Sequence, residues 1–149
     1  VSHYFKNMLV AFKSFSKTIA SYSVYKGTFE NNNLQDMIKY IHINKKISMA
    51  DISTFEEGIN AAKLGADIIS TTLAGYTTES SNSPEGPDFE LLEKLVKSVN
   101  IPVILEGRIW AVEEINKAFE LGAWAVVIGS AITRPQLITK RFVQRGSNS

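Results

Sequence analysis

The chain has 149 residues, 44% of them hydrophobic and 21% charged, the make-up of one core-forming domain and not of a disordered or collagen-like chain. Sixteen Lys and Arg against 15 Asp and Glu leave a net charge of +1, too little for the electrostatic footprint of a nucleic-acid binder. With no cysteine, two histidines (His3 and His42) far apart in sequence and no apolar run near the roughly 18 to 20 residues of a membrane span, disulfides, a zinc centre and membrane insertion are set aside, and the expected compartment is the cytoplasm.

Charge is uneven along the chain. Residues 1–48 hold seven Lys and two acids (+5), whereas residues 49–149 hold nine Lys and Arg and 13 acids (−4). The first 29 residues contain no acid and mix Ser, Lys, Phe and Tyr without a sustained period of 3.6 or 2, so residues 1–30 are left unplaced. Transit peptides share this basic, Ser-rich composition. A fragment or a displaced start explains an opening on Val more simply.

From about residue 33 the pattern becomes regular. Leu34, Met37, Ile38 and Ile41 fall at helical spacing. The run ISMAD reads as a strand, and Ser53 or Thr54 caps the helix TFEEGINAAKLG, which carries Glu56 and Glu57 in its first turn and closes at Gly65. Then follow strand ADIISTT, a polar loop from Ala74 to Asp88, helix FELLEKLVKSVN, strand IPVILEG, helix VEEINKAFELG, strand AWAVVIG and a last helix near residues 134–143. Strands alternate with helices, the pattern of a parallel α/β sheet. The tail 144–149 reads as mobile.

An internal echo sharpens the fold class. Shifting by 57 residues lays positions 47–74 over 104–131 without a gap and matches nine of 28 positions, among them Glu56/Glu113, Glu57/Glu114, Ala61/Ala118 and Leu64-Gly65-Ala66/Leu121-Gly122-Ala123. A strand, helix, Gly-Ala, strand unit used twice is what a (β/α) barrel produces, although two units of a doubly wound sheet would share the punctuation.

In a barrel, chemistry gathers at the C-terminal ends of the strands. Here the apolar runs end on Asp51, on Ser70-Thr71-Thr72, on Glu106-Gly107-Arg108 and on Gly129-Ser130, with Arg134 close behind. Glu106 directly follows Pro-Val-Ile-Leu in a strand expected to be buried on both faces, so it needs either a catalytic task or an ion pair with Arg108 or Arg134. Asp51 serves a site or caps the following helix. Arg108 and Arg134, just past strand ends, suit an anion, and Gly107, Gly129 and Ser130 let backbone N–H groups approach one. The loop with Gly75 and Tyr76 reads as a lid or as an ordinary surface loop.

The segments MADIST, STTLAGYT, PVILEGRI and VVIGSAITRPQLITKRFV resemble the N-acetylmannosamine-6-phosphate 2-epimerases of N-acetylneuraminate degradation. The resemblance implies a phosphate-binding (β/α)8 TIM barrel, here a partial one lacking the first βα units. It also implies an isomerase that interconverts N-acetylmannosamine 6-phosphate and N-acetylglucosamine 6-phosphate with no redox cofactor and no metal. Proton removal from C2 of the open-chain sugar, acidified by the C1 carbonyl, and return on the other face would be the reaction. By that resemblance Asp51 and Glu106 are catalytic, and Arg134, Thr71, Thr72, Gly75 and Tyr76 bind the sugar. Gly107, Arg108, Gly129 and Ser130 hold the 6-phosphate.

Members of that family are longer and use a lysine after the third strand as base, and no lysine of this chain stands in a matching context. An Asp-Ala-Thr strand end is also expected before the first regular helix, where counting back from Asp51 puts Tyr22, Ser23 and Val24. A non-catalytic fragment that keeps half of a sugar-phosphate site is the alternative to an active epimerase. Four or five strands would leave an open edge and an uncovered interior, so self-association is expected.

Overall fold

The computed structural model describes residues 9–10, 19–24, 31–81 and 86–146. Its elements run β1 (Leu9–Val10), β2 (Ile19–Val24), α1 (Asn31–Ile43), β3 (Ile47–Ile52), α2 (Phe55–Lys63), β4 (Ile68–Ser70), α3 (Phe89–Ser98), β5 (Val103–Glu106), α4 (Val112–Glu120), β6 (Ala125–Ile128), α5 (Ser130–Thr133) and α6 (Pro135–Gly146). The sheet order is β1-β6-β5-β4-β3-β2. The five strands from β2 to β6 are parallel, each paired with its successor in the chain. This is the curled half of a (β/α)8 barrel; a doubly wound sheet would reverse its strand order part-way.

Four features depart from the sequence reading. Part of the unplaced opening is a strand: β2 pairs with β3 along six residues, with Ser23 opposite Asp51 and Val24 opposite Ile52. The count that set Tyr22–Val24 at a strand end therefore matches the observed register. Strict alternation also fails, since β1 lies antiparallel against β6, with Leu9 opposite Ile128. At the far end, α6 continues to Gly146, past the expected boundary at 143, and α5 is an additional short helix.

The 57-residue echo is structural. Helices α2 and α4 are nine residues each and begin at equivalent positions. In both, a glutamate at the third helical position folds back onto the chain before the helix. Glu57 Oε2 accepts from Ser53 N at 2.8 Å and Thr54 N at 3.1 Å, and Glu114 Oε2 accepts from Trp110 N at 2.7 Å and Ala111 N at 3.0 Å. Thr54 is the N-cap and receives Glu57 N. Both helices have a leucine as C-cap, Leu64 and Leu121, followed by a left-handed glycine, Gly65 at φ 98° and Gly122 at φ 92°.

Alternation along the strands separates two apolar clusters. Ala50, Ile52, Ile69, Val103, Leu105 and Val126 face the helices and meet Leu34, Ile38 and Ile41 of α1 and Leu91, Leu92 and Leu95 of α3. Met49, Ile68, Ile104, Ala125 and Val127 line the inner, barrel-side face. The sequence expectation was an uncovered interior, yet none of these five is more than 2% exposed. The two residues of β1 cover the edge of β6.

Candidate active site

Following the inner face toward the strand ends of β3, β4 and β5, the apolar residue gives way to a polar one two positions on. Met49 is followed by Asp51, Ile68 by Ser70 and Thr72, and Ile104 by Glu106. The strands are staggered, with Asp51 level with Ser70 and Ser70 level with Ile104, so Glu106 lies one step higher, beside Thr72. One rim therefore collects two carboxylates from β3 and β5 and two hydroxyls from β4.

The contacts are short. Ser70 Oγ donates to Glu106 Oε2 at 3.1 Å, and Thr72 Oγ1 reaches Glu106 Oε2 at 2.8 Å and Asp51 Oδ1 at 3.2 Å. The two hydroxyls stand 2.8 Å apart. Among the described residues no cation pairs with Glu106, so the ion pair with Arg108 or Arg134 considered from sequence is not the arrangement found. Burial pushes the Glu106 carboxyl above its ordinary range, and the hydrogen bonds from Thr72 and Ser70 pull it part of the way back. Asp51 does not cap α2, a place taken by Thr54.

Thr71 supports this rim and does not line it. At 1% exposure, its Oγ1 accepts from Glu106 N and donates to Glu106 O, both at 3.1 Å. The side chain thereby continues the ladder where β4 stops and fixes the backbone of Glu106. Ser70, Thr71 and Thr72 thus each hold part of one carboxylate residue. Ser70 was read from sequence as a strand-end hydroxyl without an assigned role; its parity with Ile68 places it on the inner face.

Beyond Glu106 the chain turns through two left-handed residues, Gly107 at φ 106° and Arg108 at φ 58°. A non-glycine residue there is uncommon and marks a backbone held by its surroundings. The turn carries the Arg108 guanidinium onto the loop after β4, 5.8 Å from the centroid of the Tyr76 ring. A Cβ on Gly75, itself at φ 79°, would collide with that guanidinium. Gly75, Tyr76 and Arg108 are therefore one unit.

The loop itself is anchored by Ser80, whose Oγ accepts from Gly75 N at 2.9 Å and donates to Leu73 O at 3.3 Å. Its middle, where the lid reading partly falls, lies outside the described residues. At the neighbouring strand end, Gly129 precedes α5 and a Cβ there would meet nothing within 4 Å. Ser130 opens that short helix and Arg134 stands exposed at its end. Three groups result: Asp51, Thr72 and Glu106 in contact; Gly75, Tyr76, Gly107 and Arg108 clustered beside them; Gly129, Ser130 and Arg134 at the end of the adjacent strand.

A half barrel of βα units with its polar side chains drawn to the C-terminal strand ends is a piece of a (β/α) barrel with the layout that barrel sites share. The family model described as "Putative N-acetylmannosamine-6-phosphate epimerase" matches residues 17–147, and the chain belongs to that family. The match takes in residues 17–30, which the sequence reading left outside the family.

A relative from Clostridium perfringens, named "Putative N-acetylmannosamine-6-phosphate 2-epimerase", is 60% identical over 110 residues, covering 74% of this chain and 49% of its own. One of the same name from Caldanaerobacter subterraneus subsp. tengcongensis is 65% identical over 99 residues, covering 66% and 41%. The solved structure of the N-acetylmannosamine-6-phosphate 2-epimerase from Clostridium perfringens superposes with a TM-score of 0.75 at 53% identity, covering 85% of this chain and 54% of that one. The chain spans about half the length of the curated relatives it matches.

Proposed function

We propose that this chain carries the C-terminal half of an epimerase site for N-acetylmannosamine 6-phosphate, with N-acetylglucosamine 6-phosphate as the product. The observation that carries the reading is the rim cluster of Asp51, Thr72 and Glu106 in a chain of this family. Inverting C2 next to a carbonyl requires a proton to leave and return at carbon, and a carboxyl raised by burial keeps its proton to a higher pH than an ordinary glutamate. In this reading Glu106 handles that proton and Asp51 orients the sugar hydroxyls. Arg134 meets the negative charge that develops on the carbonyl oxygen.

The 6-phosphate is assigned to the turn Gly107–Arg108 and to Gly129–Ser130. In support, the two turns follow adjacent parallel strands with Glu106 opposite Val127, and Gly129 faces open space. Its φ of −102° demands no glycine, so its small size suits a ligand. Thr72, Gly75 and Tyr76 complete the wall.

The test is a coupled assay of the purified chain with N-acetylmannosamine 6-phosphate, following N-acetylglucosamine 6-phosphate, with Glu106→Gln alongside. The expected result is turnover that falls on the order of 10²-fold or more in the variant. A folded chain that binds the sugar phosphate without turning it over would replace this reading with the non-catalytic half-site. A chain that neither binds nor converts it would overturn both.

A further inference from the structure

The loop after β4 is tied down amide by amide. Ala74 N donates to Thr71 O at 3.0 Å and Tyr76 N donates to Leu73 O at 2.9 Å. The amide between them, Gly75 N, donates to a side chain, Ser80 Oγ, at 2.9 Å. The same hydroxyl donates to Leu73 O at 3.3 Å and stands 2.8 Å from Thr77 Oγ1. Ser80 is buried, at 7% exposure, so one enclosed oxygen holds the turn together from the inside. Gly75 is also the seat of Arg108. A Cβ there would overlap Cζ and both Nη atoms of the guanidinium, and the Tyr76 ring centroid lies 5.8 Å from Cζ. The near end of Arg108 is set by its own backbone, at φ 58°, two residues beyond a Glu106 that Thr71 pins through N and O. The far end is set by the loop.

We propose that Ser80 is the positioning residue of the anion site: by holding Gly75 N it fixes the seat of the Arg108 guanidinium, and through that group the place of a phosphate monoester beside Gly107. The ligand class rests on the epimerase reading; the seating of Arg108 by Ser80 does not. An arginine is a long side chain with much rotamer freedom to lose, and a guanidinium held in place beforehand loses less of it when an anion arrives. Ser80 therefore acts on binding and not on the proton at C2, which is handled on the far side of Glu106 from this turn.

The test reads the full chain in two ways: the order of the Arg108 Nε–H by nitrogen NMR of labelled arginine, and the affinity for inorganic phosphate. In the parent and in Ser80→Thr, which keeps the hydroxyl, Arg108 is expected to be nearly as ordered as the backbone. In Ser80→Ala it should become as mobile as a solvent-exposed arginine, and phosphate affinity should fall roughly tenfold. In an Arg108→Gln background, where the group to be positioned is gone, Ser80→Ala should weaken phosphate binding by less than about twofold. A general packing role would weaken binding equally in both backgrounds, and that result overturns the proposal, as does an Arg108 side chain equally ordered, or equally mobile, in the parent and in Ser80→Ala. A chain whose Arg108 order depends on Ser80 but which binds no phosphate overturns the anion assignment of the epimerase reading alone.

Discussion

Glu106 is costly where it stands. Its carboxyl is held above the ordinary range by burial, so the folded state binds a proton more tightly than the unfolded state does. By linkage, the stability associated with that proton is fully present below the unfolded carboxyl's range and is lost as pH rises through the folded value. Glu106→Gln removes the ionisation while keeping the shape, so the variant should melt at a higher temperature than the parent near neutral pH and at the same temperature in acid. Thermal denaturation at several pH values checks this, and a variant less stable at neutral pH would mean that the charged form is the favoured one. A residue kept at the expense of stability fits a functional rim. Its place at a strand end and its apolar approach are legible in sequence. Its partners are not, because they depend on the stagger that sets Thr72 level with it and Ser70 one step below.

The two βα units test how far equal sequence means equal energetics. Gly65 and Gly122 occupy equivalent left-handed positions after α2 and α4, and forcing an alanine into either should cost about 1 kcal/mol from the backbone alone. Their surroundings differ. A Cβ at Gly65 would lie 4.0 Å from Ile38, an ordinary contact, whereas one at Gly122 would meet Val96 Cγ1 at 2.8 Å. Gly122→Ala should therefore destabilise more than Gly65→Ala in denaturant titrations, and equal losses would show that Val96 yields freely. From residue 31 onward the elements are readable because caps, helical periodicity and Gly stops agree with one another. Strand β2 is not, because IASYSV sits in a run of Ser, Lys and aromatic residues with no turn signal to frame it. Strand β1 is two residues paired with the far end of the chain, a contact that no local pattern encodes. The lodging of Arg108 against Gly75 is equally hidden, since it follows from consecutive positive φ angles after Glu106.

At the scale of the molecule, the sheet formed by the described residues does not close. A (β/α)8 barrel removes its edges by joining the eighth strand to the first. Here the order ends on β2 at one side and on the two-residue β1 at the other. Among the described residues β2 runs for six residues with β3 on one side and no strand on the other, which leaves a row of backbone donors and acceptors that another strand could pair with. Burial of the inner face removes one driving force expected from sequence, but Phe142 and Val143 on α6 remain 74% and 63% exposed, a second apolar surface apart from the β2 edge. The chain is therefore expected to self-associate. Sedimentation velocity across a wide concentration range should show a mass that grows with concentration. Hydrogen exchange on the associated form should slow first at Ile19–Val24 if the edge strand is the contact, and at α6 if the helix is. A monomer that stays monomeric at high concentration and resists heat would show that this open sheet is stable without a partner.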